Sequence, residues 1–390
     1  MSRQARIGAK SDERWATGLV CSATGASLPL DEPHFLSPAG KPLLVRYELD
    51  RERGRQLRRR LADRPWTLWR YRELLPVRDA SGIVDLGEGG TPLVRVRRLF
   101  GGADVWVKEE GGNPSGSFKA RGLSVAVNRA RELGAPGLQL PSAGNAALAL
   151  ATYCAASAMP CRVAMPEDTP ATVMRRCREL GAEVLTCAGT LVDAGALLAE
   201  RDDGYWSLAT LREPYRVEGK KTMGLELAEQ LGWRLPDWIL YPTGGGTGIV
   251  GMHKAFAELE ELGLVSGPRP RFGVVQMAGC APLVRAFEAG AAAAEPWPDA
   301  ATRVWGLRVP QAIGDFLVLE ALRHTGGAAV AVAEEAVAGM QLRAAREEGM
   351  IVGPEGAAAL LACAGLIEEG RIDIGDRVVV FQTGHPANYE

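Results

Sequence analysis

Trp238-Ile239-Leu240-Tyr241-Pro242-Thr243-Gly244-Gly245-Gly246-Thr247-Gly248-Ile249 is the stretch that decides the fold class. Trp238 to Tyr241 reads as a buried strand. A helical pattern follows from Gly251 to Leu262, and four glycines in five residues join the two. A glycine-rich strand-to-helix turn lets backbone N–H groups close around a phosphate, and the helix dipole favours the anion. Gly246-Thr247-Gly248-Ile249-Val250-Gly251 also fits the dinucleotide pattern. That reading wants Asp or Glu at the end of the next strand, and Phe272 to Gln276 ends in Gln276. The turn therefore suits a single phosphate monoester.

The same alternation extends in both directions. Short apolar runs at Val105–Val107, Leu138–Leu140, Cys161–Met165, Glu183–Leu185 and Arg377–Phe381 read as strands. Helical patterns cover 120–133, 146–158, 170–180, 190–200, 219–231, 334–348 and 354–369. Strands alternating with helices predict an α/β fold of mainly parallel sheets covered by helices. There is no internal repeat.

With 390 residues the chain is long enough for two or three core-bearing units. Its 45 basic and 47 acidic residues give no overall pull toward nucleic acid or an anionic membrane. The basic run Arg51 to Arg60 contains Glu52 and is expected to be a solvated face ahead of a helix. No apolar run approaches the roughly 18 residues of a membrane span, and residues 1–15 lack the apolar core of a secretory signal. Seven scattered cysteines without a CxxC pair suit a reduced, cytoplasmic setting. Cys154, Cys161 and Cys187 read as core residues. The four histidines show no metal-ligand spacing, so no metal is expected.

Three further segments carry chemistry. Asn113-Pro114-Ser115-Gly116-Ser117-Phe118-Lys119-Ala120-Arg121-Gly122 places one lysine after a turn and at a helix start, where a neutral amine is favoured and a Schiff base becomes possible. Ser142-Ala143-Gly144-Asn145 sits at another strand-to-helix junction, where Ser142 and the first helical amides suit a carboxylate and Asn145 suits a phenolic oxygen. Thr383, after the last strand, offers a hydroxyl to a ring nitrogen, whereas His385 reads as a loop histidine. A lysine amine, a phosphate cup, a carboxylate-holding helix start and that hydroxyl make up the inventory of a pyridoxal phosphate site.

These segments, with Trp66–Tyr71, Leu86–Leu93, Val217–Thr222 and Thr383-Gly384, resemble the threonine synthase family of fold-type II pyridoxal phosphate enzymes in order and spacing, from about residue 66 onward. The resemblance implies the tryptophan synthase beta-like fold: two three-layer domains with parallel or mixed sheets and the cofactor in the cleft. It implies an N-terminal extension over 1–60, a large domain over 61–125 plus 222–390, a small mobile domain over 126–221, and a homodimer. Lys119 would form the Schiff base and shuttle protons, and Asn145 would bond the cofactor's phenolic oxygen. Gly244, Gly245, Gly246, Thr247 and Gly248 would hold its phosphate, and Thr383 would face its ring nitrogen. Ser142, Ala143, Gly144 and Asn145 would hold the substrate carboxylate. Arg121, Lys220 and Lys221 are candidates for a substrate phosphate. The implied reaction is γ-elimination of phosphate from O-phosphohomoserine followed by water addition at Cβ. A β-eliminating ammonia-lyase or β-replacement enzyme, and a non-catalytic paralogue, are the alternatives. The chain departs from the family at Ala120, usually aspartate, and at His385-Pro386-Ala387-Asn388. In the extension only Cys21 remains of four usual cysteines, which removes a zinc site.

Overall fold

The computed structural model describes residues 15–389. Thirteen strands run in chain order: β1 Ala16–Cys21, β2 Ser27–Leu28, β3 Leu43–Tyr47, β4 Leu93–Arg95, β5 Val105–Glu109, β6 Leu138–Pro141, β7 Cys161–Pro166, β8 Glu183–Cys187, β9 Trp206–Ser207, β10 Trp238–Pro242, β11 Arg271–Met277, β12 Ala328–Val332 and β13 Val378–Gln382. They form three sheets. The central one has the order β12-β11-β10-β13-β5-β4 and is parallel except for β4. A second, fully parallel sheet has the order β8-β7-β6-β9. A small antiparallel lobe, β2-β1-β3, precedes both.

Strand period decides the layers. On β10, Ile239 and Tyr241 join the core shared with Ile249, Met252 and Phe256 of the helix Thr247–Glu261. Trp238 and Leu240 join the opposite core, with Ala358 and Ala362 of the helix Pro354–Glu368. Every residue of β10 and β13 is buried, as expected of central parallel strands. In the second sheet Val163 faces the main core, while Ala164 meets Ala194 and Leu198 of the helix Leu191–Ala199. Both sheets are thus covered on two faces by helices.

Several boundaries differ from expectation. The helix expected over 219–231 begins at Tyr215, and the one expected over 251–262 begins at Thr247. The edge strand β12 and the helix Asp315–Thr325 carried no clear signal, because β12 is Ala-Ala-Val-Ala-Val, with weak strand propensity. The basic run does not precede a helix but is one, Arg51–Leu61. Asp50 caps it, Gly54, Leu57 and Leu61 are buried, and most of its arginines lie outside. Cys154 and Cys161 are buried, Cys187 is half-buried, and all seven cysteines are free. Among the described residues no cluster could hold a metal, and no helix is long and apolar enough to cross a membrane.

Candidate active site

The turn before Lys119 is fastened to the loop after β13. Phe118 N donates to Thr383 O (3.0 Å), His385 N donates to Gly116 O (2.8 Å), and Ser117 bridges Gly384. Gly116 has φ +71, which suits glycine. Lys119 then opens the helix Lys119–Glu132 at the carboxyl edge of the central sheet, where ligands of open α/β sheets collect. Burial, aided by Arg216 and opposed by Glu355, pushes its amine down to about 7. An amine that is substantially neutral near pH 7 is ready to act as a nucleophile.

The glycine loop fits a phosphate. Gly246, at φ +78, caps the helix Thr247–Glu261 in the left-handed region. The amides of Gly244 to Gly248 meet no acceptor among the described residues. A Cβ on Gly244 would lie 2.6 Å from Gly306 O, and one on Gly246 would strike Val318. The cup is therefore lined by backbone donors that only glycine leaves open. Thr383 follows β13, its carbonyl accepting from Phe118 N. At the third junction Gly144 N donates to Ser142 Oγ (3.3 Å), and Asn145 starts the helix Asn145–Ala156. His385 is a turn residue, its Nδ1 accepting from Ala387 N (3.2 Å).

The three substrate-phosphate candidates separate. Arg121 is fully buried. Its Nε and Nη2 donate to Glu110 (both 2.7 Å), Nη1 and Nη2 to Glu226 (3.0 and 3.1 Å), and further bonds reach Thr91 and Thr222. Lys108 joins this cluster at 2.5 Å from Glu226. With its donors engaged in the core, Arg121 is a structural ion-pair residue and not a substrate ligand. Lys221 is corrected likewise. Its ammonium lies 2.6 Å from Glu218, 2.8 Å from Glu258 and 3.8 Å from the Tyr47 ring centroid, beneath the small lobe.

Lys220 differs from both. Like Lys221 it is fully buried with no hydrogen bond at its Nζ, but among the described residues no acid pairs with it. It lies 4.4 Å from the centroid of the Phe118 ring, which Lys119 Nζ approaches at 4.2 Å. Burial first, then Lys119 and Arg216, hold its amine well below the usual lysine range. Arg216, absent from the sequence expectations, is 1% exposed. Its Nη1 donates to Leu208 O (2.6 Å), while Nε and Nη2 are unpartnered. Glu355 was also missed. Burial raises its carboxyl, and its Oε1 accepts from Gly306 N (3.1 Å). Ala120 is fully buried in the core, so an aspartate there would need a buried partner of its own.

Residues 84–384 match the family model described as pyridoxal-phosphate dependent enzyme. The threonine synthase of Methanocaldococcus jannaschii is 34% identical over 371 residues, spanning 94% of this chain and 91% of that protein. This chain is a pyridoxal-phosphate-dependent enzyme of the threonine synthase family. A second threonine synthase, from Methanosarcina acetivorans, is 36% identical over 326 residues, covering 82% of this chain and 79% of its own. Maize serine racemase superposes with a TM-score of 0.65 at 20% identity, over 87% of this chain and 94% of its own. A threonine deaminase from Solanum lycopersicum gives the same TM-score at 22% identity, over 86% and 90%. These structures share the fold of this threonine synthase-like lyase.

Proposed function

We propose that this enzyme converts O-phospho-L-homoserine to L-threonine, eliminating phosphate from Cγ and adding water at Cβ. The observation that carries the reading is the pair Arg216 and Lys220. Both are buried and close to Lys119, Arg216 by its charge and Lys220 across the Phe118 ring, and Arg216 Nε and Nη2 and Lys220 Nζ lack hydrogen-bond partners. Buried polar groups are normally satisfied, and a dianionic phosphate would satisfy all three.

The remaining roles follow from position. Gly244, Gly245, Gly246, Thr247 and Gly248 hold the cofactor phosphate, with Lys119 as its attachment point. Thr383 faces the ring nitrogen, and Asn145 donates to the phenolic oxygen. Ser142, Ala143, Gly144 and the amide of Asn145 hold the substrate carboxylate, which orients the chain so that its phosphate reaches Arg216 and Lys220. Lys119 Nζ, brought down to about 7 and so able both to accept and to give a proton near neutral pH, takes up and returns protons at the substrate carbons. Bound pyridoxal phosphate supplies an electron sink. A neutral hydroxyl at its nitrogen favours elimination and replacement over transamination.

Incubating the cofactor-loaded enzyme with O-phosphohomoserine should release phosphate and threonine in equal amounts. Ammonia from serine or threonine, with no phosphate release from O-phosphohomoserine, would overturn this reading in favour of an ammonia-lyase.

A further inference from the structure

The segment after Gly384 returns to the site. Pro386–Asn388 forms one 3-10 turn, and Asn388 is buried. Asn388 Nδ2 donates to Ser115 O (3.2 Å), Gly116 O (3.2 Å) and Asn145 Oδ1 (2.6 Å). Its Oδ1 receives Arg176 Nη1 (3.4 Å) and abuts Gly116, where a Cβ would come within 2.5 Å of it. One side chain thus joins the Lys119 turn to the first residue of the helix Asn145–Ala156.

This network fixes which end of each amide is which. An amide oxygen cannot face two backbone carbonyls, so the atom of Asn388 between Ser115 O and Gly116 O is the nitrogen. The atom it meets on Asn145 is then the oxygen. The remaining end of Asn145 is Nδ2, which donates to Tyr389 Oη (3.2 Å) and keeps a second hydrogen free. A flipped amide would turn an acceptor toward the bound cofactor's phenolic oxygen, itself an acceptor.

We propose that Asn388 is a positioning residue that locks the Asn145 amide with its nitrogen toward the cofactor. This rests on the reading of Asn145 as a cofactor ligand, and the test separates the two. Asn388 does its work through Asn145, so its removal should change the bound cofactor's electronics no further once Asn145 is gone.

The experiment is a pH titration of the visible absorbance of the cofactor-loaded enzyme, with thermal melts as a check on folding. Asn145→Ala and Asn388→Ala should each raise the midpoint by about one unit, the scale of one charge-assisted hydrogen bond. The double variant should shift no further than Asn145→Ala. Asn388→Leu, close in shape and without a donor, replaces the alanine variant if that one does not fold, and is read the same way. An unchanged midpoint in Asn145→Ala would refute the assignment of Asn145 and the proposal with it. A shift in Asn145→Ala alone would refute the role of Asn388 and leave Asn145 standing. Additive shifts in the double variant would also overturn the proposal, since Asn388 would then act by another route.

Discussion

Lys220→Met should make the protein more stable and the enzyme worse. Lys220 has no exposed surface, and its Nζ has no hydrogen-bond partner. Leaving a buried donor unsatisfied costs about 1–3 kcal/mol. Methionine has a similar length and apolar stem and can occupy the same space over Phe118. Without substrate, the variant should therefore gain about 1–3 kcal/mol, which appears as a rise of several degrees in Tm. With a phosphorylated substrate the sign reverses. A hydrogen bond to a charged group contributes about 1.5–3 kcal/mol, so kcat/KM should fall roughly 10- to 150-fold. Lys221→Met, one residue on, should behave in the opposite way. It leaves Lys254 as the one cation paired with Glu218 and Glu258 among the described residues, with Tyr47 still donating to Glu218, a loss of about 3 kcal/mol, at the low end for a broken buried pair. Calorimetry of the substrate-free enzymes and initial-rate kinetics on O-phosphohomoserine decide the matter. A lower Tm for Lys220→Met with unchanged kcat/KM would refute the reasoning.

Glu226→Gln leaves Arg121 with Glu110 alone and Lys108 with no ion-pair partner among the described residues, and should cost about 3–5 kcal/mol, read as a lower urea midpoint. An unchanged midpoint would refute a structural role for the cluster. Labelling of Lys119 in the cofactor-free protein by an amine-selective reagent, followed by mass spectrometry, should rise through about pH 7. An ordinary lysine would instead rise near about 10, and that result for Lys119 would contradict its burial in the cleft. Gly246→Ala puts a Cβ at φ +78 and against Val318. It should cost about 1–2 kcal/mol in the protein and weaken pyridoxal phosphate binding by at least about tenfold. Unaltered binding in an equilibrium titration would count against the glycine cup.

The strand–glycine–helix joints were legible because local patterns carry them: apolar runs, turn glycines and helix periodicity. Side-chain direction was not. Successive residues on a helix point about 100° apart. Lys119 and Arg121 therefore face opposite sides of one helix, and Lys220 and Lys221 face different neighbours, although each pair looks equivalent in sequence. Arg216 was missed because it precedes the expected start of its helix, and that start lies at Tyr215. Glu355 follows Pro354 at a helix start and reads as an ordinary first-turn acid. Asn388 and Tyr389 lie beyond the last strand, and only the return of the chain against Ser115 and Asn145 gives them meaning.

Tyr47 of the small lobe donates to Glu218 (2.8 Å) and covers Lys221 and Lys254. The lobe thereby roofs a four-charge cluster: Glu218 and Lys221 on the helix Tyr215–Gln230, which also carries Arg216 and Lys220, and Lys254 and Glu258 on the helix Thr247–Glu261. Deleting it would open that cluster to water and loosen the helix on which Arg216 and Lys220 are mounted. The lobe is therefore a foundation for that helix, anchored through one phenol on a buried carboxylate.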